Sequence, residues 1–314
     1  MRLHGERGGG VNSAIRTENL NKRFRKVEAL TGLNFDIAEG AIYALVGPNG
    51  AGKTTAIKIL MNIFQATGGA ARILGIDSRK IAARTLASIG YVSENQELPL
   101  WMTVTGFLGY LRPFYPTWDR KLEDELIQKF DLPLERKLKD LSRGMRMKAT
   151  LAGSLAYHPK VIILDEPFSG LDPLVRDQLI EGLLGRASES TTLVSSHDLA
   201  EIESFASHVG YMEQGQLRFS EELSTLRERF REVELKFEEI PSVPEKWPAA
   251  WMQTNNSGSV IRFIESQFNQ ERKCAEIRQL LGEAKDVTFT AMTLRSIFLA
   301  LAKSGSRNVT EEQG

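Results

Sequence analysis

The sequence has little of several features that would mark particular classes of protein. It contains one cysteine, Cys274, so no disulfide can form within the chain, and this count fits a reducing compartment. No apolar run approaches the roughly 18–20 residues that a membrane-spanning helix needs; stretches such as Ala41–Val46 and Ile297–Ala302 are short. The first residues lack the apolar segment of a secretory signal. The sequence therefore predicts neither a disulfide scaffold nor a transmembrane helix.

An excess of charge of one sign is also missing. Lys and Arg total 40, Asp and Glu total 40, and the formal net charge is zero. This balance counts against a nucleic-acid-binding protein, because such proteins use a basic surface. The 314 residues, 42% hydrophobic and 25% charged, are typical of a globular chain. Their number predicts about two domains of ~150 residues, each large enough to bury a core.

Strand and helix patterns alternate along most of the chain. Residues Leu30–Ile37 alternate in polarity like a half-buried strand, and Ala41–Val46 is apolar throughout, as in a strand buried on both faces. Further strands are predicted at 71–74, 88–93, 161–164, 191–196, 209–212 and 216–219. Helices are predicted at 53–64, 104–112, 120–130, 142–157, 174–187, 198–206 and 221–230. The alternation predicts an α/β fold with a mostly parallel sheet.

A change in composition near residues 231–243 indicates a second domain. After it, short strand patterns at 233–237, 251–254, 260–264 and 287–290 are combined with helix patterns at 270–281 and 294–302. The predicted organisation is a disordered tail over residues 1–13, an α/β domain over 14–230, a small α+β domain over 231–303 and a flexible tail over 304–314.

A glycine-rich segment follows the apolar strand Ala41–Val46 and fits the pattern G-x-x-x-x-G-K-[ST]. Glycines let the backbone curl so that successive N–H groups point at phosphate oxygens, and the following helix adds its positive dipole end. The lysine of such a loop reaches the β- and γ-phosphates, and the hydroxyl binds Mg²⁺. The predicted nucleotide-binding residues are Gly47, Pro48, Asn49, Gly50, Ala51, Gly52, Lys53, Thr54 and Thr55.

A second apolar strand pattern, Val161–Leu164, ends in two carboxylates. Asp165 is expected to hold Mg²⁺, directly or through water, together with Thr54. Glu166 lies one residue beyond the strand, where it could polarise a water that attacks the γ-phosphate. The pair predicts metal-assisted hydrolysis of a nucleoside triphosphate.

The segment Leu141–Met145 precedes a helix with basic and apolar residues. Ser142 is a good N-cap. The same helix terminus, with Ser142 and Gly144, could instead receive an anion. Taken alone, this segment leaves both interpretations open.

The order of these motifs, followed by Ser-Gly-Leu-Asp and Ser-Ser-His, resembles the ATPase subunit of an ABC transporter over about Ile15–Phe230. The resemblance implies a P-loop fold with a helical subdomain at about residues 95–158, and ATP and Mg²⁺ as cofactors. It implies that Phe24 stacks on adenine and that His197 lies near the γ-phosphate and takes part in catalysis. It also implies a signature that contacts the nucleotide of a second ATPase subunit, formed by Ser142, Arg143, Gly144 and Met145. A loop at the dimer interface is implied as well, formed by Ser169, Gly170, Leu171 and Asp172.

Three positions depart from the pattern of that family. Glycine usually follows the signature serine and glutamine usually ends the motif, where this chain has Arg143 and Met145. The loop after the strand at 88–93 usually begins with glutamine, and here Glu94 aligns. A carboxylate at 94 can still bind Mg²⁺, with Gln96 as the alternative ligand. These departures concern the rate of hydrolysis more than the fold, and they resemble exporter-type bacterial members.

The resemblance implies an ATP-hydrolysing subunit that drives a membrane permease carried on a separate chain. It is expected to lie at the cytoplasmic face of the membrane, and export is the expected direction of transport. A second ATPase subunit, identical or different, is the other expected partner. The aromatic stretch over residues 98–118, with Trp101, is expected to meet a helix of the permease, or else to be ordinary core. Two alternatives remain: an ABC ATPase that does not serve transport, and a nucleotide-binding subunit with weak hydrolysis.

Overall fold

The computed structural model describes residues 12–185 and 189–301, and these residues form two compact units divided between Ser220 and Glu221. The division falls earlier than the predicted boundary after residue 230, because the helix at Leu223–Arg229 groups with the second unit. Of the tail predicted over residues 1–13, only the last two are described, and Ser13 already begins a strand. The tail predicted over 304–314 lies outside the described residues.

The first unit contains two sheets and seven α-helices among the described residues. Its strands are β1 (Ser13–Phe24), β2 (Val27–Ala38), β3 (Ile42–Val46), β4 (Gly68–Ile73), β5 (Ile76–Asp77), β6 (Ile89–Ser93), β7 (Val161–Asp165), β8 (Thr191–Ser196), β9 (His208–Glu213) and β10 (Gln216–Glu222), the last of which runs to two residues beyond the division. Its helices are α1 (Lys53–Leu60), α2 (Ala83–Leu86), α3 (Val104–Leu111), α4 (Arg120–Lys129), α5 (Arg143–Leu155), α6 (Pro173–Leu184) and α7 (Leu199–Ile202).

The larger sheet has six strands in the order β10-β9-β3-β8-β7-β6, and β3, β6, β7, β8 and β9 pair in parallel. Every residue of β3 and β7 is buried, as expected for parallel strands covered on both faces. The predicted parallel sheet is therefore confirmed. Because the carboxyl ends of parallel strands meet at one edge, the segments that follow β3, β7 and β8 lie together there.

The smaller sheet, in the order β2-β1-β4-β5, is antiparallel and was not predicted as a separate sheet. Its long strand β1 has register shifts against β2, and these bulges break the polar alternation that identifies a strand in a sequence. The hydrophobic core combines side chains from both sheets and from α1, including Ile15, Leu33, Leu45, Ile57 and Leu193.

Most predicted helices are present within a few residues of their expected ends, but the helix predicted over 198–206 is much shorter. It covers only Leu199–Ile202, and the backbone N–H groups of Phe205 and Ala206 both donate to the carbonyl oxygen of Ile202. Phe205 is buried and packs edge-on against Phe168, so tertiary packing ends the helix. The helix predicted over 174–187 is α6, and Ala187 lies outside the described residues.

The second unit is a small α+β domain with its own core. It contains α8 (Leu223–Arg229), β11 (Arg231–Lys236), β12 (Trp251–Ser257), β13 (Val260–Glu265), α9 (Gln270–Leu281) and β14 (Asp286–Ala291), and residues 294–301 are helical. The sheet order is β12-β13-β11-β14, with β11 between two antiparallel neighbours. Val233, Leu235, Trp251, Phe263 and Ile277 belong to its core. Within the described ranges of both units, no helix is long and apolar enough to cross a membrane.

Candidate functional site

The glycine-rich loop joins β3 to α1 at the carboxyl edge of the parallel sheet. Gly50 and Gly52 have φ angles of +82° and +103°, which residues other than glycine rarely adopt. A Cβ at Gly47 would lie 2.0 Å from the carbonyl oxygen of Met212, and one at Gly52 would lie 2.5 Å from that of Ala29. A side chain at position 47 or 52 would therefore clash with the backbone, and the positive φ angle is a second reason for glycine at position 52. The loop has the tight shape that a phosphate cradle needs.

Lys53 is the first residue of α1, and its side chain is 5% exposed. Its Nζ donates to the carbonyl oxygens of Gly47 at 2.6 Å and Pro48 at 3.3 Å, and it lies 3.1 Å from Oε1 of Glu166. A buried ammonium at the start of a helix is a strong attractor for anions, since the helix dipole adds to its charge. The ammonium is thus held between the loop and the predicted base.

Asp165 ends β7 beside Thr54 of α1 and Ser195 of β8. Its Oδ1 accepts from Thr54 Oγ1 at 3.0 Å and from Ser195 Oγ at 2.8 Å. Burial raises the pKa of the Asp165 carboxyl, and the two hydroxyl donors partly oppose that shift. A buried carboxylate next to a threonine hydroxyl offers the hard oxygen ligands that Mg²⁺ prefers. These residues therefore fit the predicted metal.

Glu166 and His197 follow neighbouring parallel strands and contact each other. Nδ1 of His197 lies 2.8 Å from Oε2 of Glu166, and this hydrogen bond is the main reason why the pKa of His197 is raised. Glu166 has a φ angle of +52°, and its backbone N–H donates to Ser195 Oγ at 2.9 Å. A non-glycine residue held in this region of backbone space costs free energy and occurs preferentially at functional sites.

Ser195 was missed by the sequence analysis, although it touches both carboxylate residues. It is fully buried in β8, opposite Asp165 in the parallel register. Four of the six residues of β8 carry hydroxyl groups, and the two at its carboxyl end, adjacent to the Asp-Glu pair, could have indicated the role of Ser195. Its single hydroxyl group fixes the positions of the Asp165 side chain and the Glu166 backbone.

The signature residues form the start of α5. Ser142 is its N-cap and accepts from the backbone N–H of Met145 at 3.2 Å. A Cβ at Gly144 would lie 2.8 Å from Val175 Cγ1, so α5 and α6 approach closely there. Among the described residues, the hydrogen bonds and ion pairs recorded for Ser142–Met145 do not reach the phosphate loop. The structure therefore shows the capping role of Ser142.

The loop Ser169–Asp172 follows Asp165 and Glu166 and leads into α6. Asp172 caps this helix by accepting from the N–H of Val175 at 3.0 Å. Gly170 has a φ angle of +65°. Leu171 is only half-buried, and Leu174, just inside the helix, is 69% exposed. The loop thus presents apolar surface beside the site.

Phe24 ends β1 and is 38% exposed. Lys22 Nζ lies 4.6 Å from the centre of its ring, and Phe64 packs edge-on at 5.3 Å. The ring is therefore fixed in place and still accessible. That arrangement suits a stacking surface for a nucleobase.

A groove of about 580 Å³ lies beside the start of α5 and is lined by the loop after β6, including Glu94 and Leu98. Met147 contributes an apolar side chain from α5. Trp101, further along the same loop, is 71% exposed, whereas Phe107 is buried. The aromatic stretch is thus part core and part exposed surface. A larger open cavity of about 880 Å³ lies at the opposite end of the parallel strands, where Gly40 and Lys160 help to line it. It contains none of the predicted site residues.

A glycine-rich loop between a buried strand and a helix, followed by a buried lysine and a strand ending in Asp-Glu, defines a P-loop nucleotide-binding fold. Comparison with known proteins refines this class. A family model described as ABC transporter matches residues 30–169.

Several curated proteins are similar to this chain. A lantibiotic transport ATP-binding protein of Streptococcus pyogenes is 34% identical over 66% of this chain and 90% of its own length. A bacitracin transport ATP-binding protein of Enterococcus faecalis is 30% identical over 69% of this chain and 72% of its own. For an uncharacterised ABC transporter ATP-binding protein of Synechocystis the identity is 31%, over 68% of this chain and 64% of that protein. The match thus spans less than two thirds of the Synechocystis relative.

A solved structure, the ATP-binding subunit of an ABC transporter, superposes with a TM-score of 0.63 at 25% identity, over 69% of this chain and 92% of that one. The chain belongs to the family of ABC transporter ATP-binding proteins.

Proposed function

We propose that this chain binds and hydrolyses ATP in order to drive a separate membrane permease. The observation that carries the proposal is the convergence of Lys53, Asp165 and Glu166 at one edge of the sheet, with 3.1 Å between the Lys53 ammonium and the Glu166 carboxylate. Phosphate-binding groups and a candidate base are thus in reach of each other. Nucleotide binding alone would not require a carboxylate beside the lysine.

The chain's own residues supply most of the chemistry. Backbone N–H groups of the loop and Lys53 hold the β- and γ-phosphates, and Phe24 stacks on the adenine. Mg²⁺, when held by Thr54 and Asp165, would neutralise charge on the phosphate oxygens. The third candidate ligand, Glu94, is paired with Arg143. Because phosphate competes with Glu166 for Lys53, the carboxylate is released to accept a proton from the attacking water.

His197 supports this base through its hydrogen bond to Glu166 Oε2. The imidazole orients the carboxylate through this contact. Near the phosphates the same ring can also donate to developing negative charge. We therefore assign Glu166 as general base and His197 as its partner.

A second ATPase subunit completes the site. Among the described residues, the side-chain contacts of Ser142 and Arg143 are with Met145 and Glu94 and not with the phosphate loop, so the nucleotide that the signature serves is assigned to a partner, identical or different. Ser169–Asp172 and the exposed Leu174 supply the surface across which two such subunits meet. A helix N-terminus capped by serine suits a terminal phosphate.

The groove beside α5 is the proposed contact with the permease. It combines the apolar side chains of Leu98, Leu100 and Met147 with charged walls, and Trp101 is exposed nearby. Such a groove fits a short amphipathic helix. The chain would then sit at the cytoplasmic face of the membrane, held there by the permease.

Export is the proposed direction of transport. Its support comes from relatives whose names describe daunorubicin resistance, bacitracin transport and lantibiotic transport. The substrate itself is selected by the permease.

The proposal is tested by purifying the chain with its permease and reconstituting both in vesicles. We expect phosphate release that requires Mg·ATP and Glu166, together with ATP-dependent movement of substrate from the ATPase side to the other side. If the chain hydrolyses ATP and is recovered from cell extracts without any bound membrane protein, an ABC ATPase that does not serve transport would be favoured. ATP binding with negligible phosphate release in the complete complex would favour the weakly hydrolysing subunit.

A further inference from the structure

Two of the positions where this chain departs from its family's pattern touch each other. Arg143, the first residue of α5, forms an ion pair with Glu94, the residue that follows β6. Neither residue belongs to the usual sequence pattern described above. The contact suggests that the two departures form one feature.

Arg143 also lies against the loop that follows the catalytic carboxylates. A Cβ built on Gly170 would be 2.9 Å from Nη1 of Arg143, so the guanidinium lies directly over this glycine. The other nitrogen of the same planar group, Nη2, faces Glu94. One side chain thus spans two loops, and the rigid fork of arginine suits such a double contact.

Each of these loops is hydrogen-bonded to one of the two catalytic carboxylate residues. The backbone N–H of Glu94 donates to the carbonyl of Asp165 at 3.0 Å, and that of Ser169 donates to the carbonyl of Glu166 at 3.4 Å. A continuous path therefore runs from Arg143 to Asp165 through Glu94. A second path runs from Arg143 to Glu166 through the loop at Ser169 and Gly170.

Glu94 and Arg143 also line the groove beside α5. The same ion pair is therefore part of the groove wall and part of the support of the carboxylates. We propose that Arg143 is a positioning residue that acts on Asp165 through Glu94 and on Glu166 through the loop at Gly170. The inference rests on the proposed ATPase function and names a further residue that positions the carboxylates of that site.

The exposure of the ion pair sets the size of the effect to expect. The Arg143 and Glu94 side chains are 42% and 25% exposed, so solvent and salt screen the pair. Such pairs contribute little to stability, and their coupling corresponds to an effect of at most about fivefold.

The test is a double-substitution cycle in the full chain with Mg·ATP. We expect Glu94→Gln and Arg143→Gln each to lower kcat, by at most about fivefold. The double variant should be no slower than either single one, because the second substitution has no pair left to break. Effects that multiply in the double variant, or single variants with native kcat, would overturn the proposal.

Two controls make the cycle specific. The Mg²⁺ concentration for half-maximal rate should be the same in all four proteins; an increase in Glu94→Gln alone would mean that Glu94 acts on the metal, which contradicts a role through Arg143. Neutralising the similarly exposed pair Arg229 and Glu221 in the second unit should leave kcat unchanged. Glu166→Gln is measured in parallel. If it hydrolyses ATP at the native rate, the proposed function fails; if it is inactive and the cycle is multiplicative, only the link fails.

Discussion

His197 and Glu166 are joined by a 2.8 Å hydrogen bond, although each follows a different strand of the parallel sheet. Lys53 approaches the other carboxylate oxygen at 3.1 Å. The carboxylate thus lies between a histidine and a lysine, and its two oxygens have different partners.

Replacing Glu166 by glutamine should remove the base and keep the shape of the side chain. Since a positioned base contributes roughly 10²–10⁴ in rate, kcat should fall by about that factor while ATP still binds. Phosphate release and calorimetry measure the two properties. Glu125→Gln, an exposed change on α4, is the matched control and should be silent. Native turnover by Glu166→Gln would exclude the assignment.

The pKa of His197 should depend on Glu166. The hydrogen bond and the negative charge raise this pKa, so the imidazolium persists to higher pH than in an ordinary histidine and is lost as pH rises through the raised value. In Glu166→Gln the midpoint should move down towards the ordinary value of about 6.5. A pH titration followed by NMR measures this. His158 and His208 serve as internal references, and an unchanged His197 midpoint would contradict the contact.

Lys53→Ala should abolish productive ATP binding, because no other residue of the loop provides a full positive charge to the β- and γ-phosphates. The measurement is ATP affinity by calorimetry. Lys58→Ala removes a charge from the same helix, where Lys58 faces the ring of Phe64 at 5.2 Å, and it should bind ATP normally. Equal affinities of the Lys53 variant and the native protein would argue against the phosphate-loop assignment.

Ser142 should act on the nucleotide of a partner subunit. A mixture of Lys53→Ala and Ser142→Arg chains should recover up to one working site per mixed dimer, whereas each variant alone should have none. Loss of the Ser142 cap costs about 1 kcal/mol of stability, so a thermal melt must first show that Ser142→Arg is folded. If confirmed mixed dimers are as inactive as the separate variants, each chain works alone.

Trp101→Ala should detach the permease and leave the fold intact. An interface tryptophan of this exposure contributes about 2 kcal/mol or more, or roughly thirtyfold in affinity. The melting temperature of the isolated chain should hardly change, since the side chain is 71% exposed. Trp251→Ala is the contrast, because Trp251 is buried and stacks on Phe263 at 3.8 Å; its loss should cost about 3–5 kcal/mol. Normal permease binding by Trp101→Ala would refute the docking role.

The sequence identifies the segments at the centre of the candidate site because they are short and rigidly spaced. The phosphate loop needs glycines at fixed positions, and Asp165 and Glu166 follow a strand whose apolar run is continuous. These patterns are local, so spacing alone reveals them. The parallel sheet then brings the segments together at one edge without further information.

Contacts between distant segments were not predictable in the same way. Arg143 and Glu94 are 49 positions apart, and no periodicity relates a helix start to a loop on another strand. The positive φ of Glu166 arises from the turn after β7, and glutamate has no preference for that conformation. The short α7 likewise follows from the packing of Phe205, which only the assembled core determines.

The contact between Lys53 and Glu166 also bears on how nucleotide affinity is to be interpreted. The Glu166 carboxylate and the γ-phosphate compete for the Lys53 ammonium. The binding free energy measured for ATP therefore equals that of the phosphate contact minus that of the Lys53–Glu166 ion pair which it replaces. Removing the charge of Glu166 abolishes the competitor as well as the base. Long-lived ATP complexes of a Glu166→Gln protein would then have two separate origins, slower consumption and tighter retention, and only the second persists when a non-hydrolysable analogue replaces ATP.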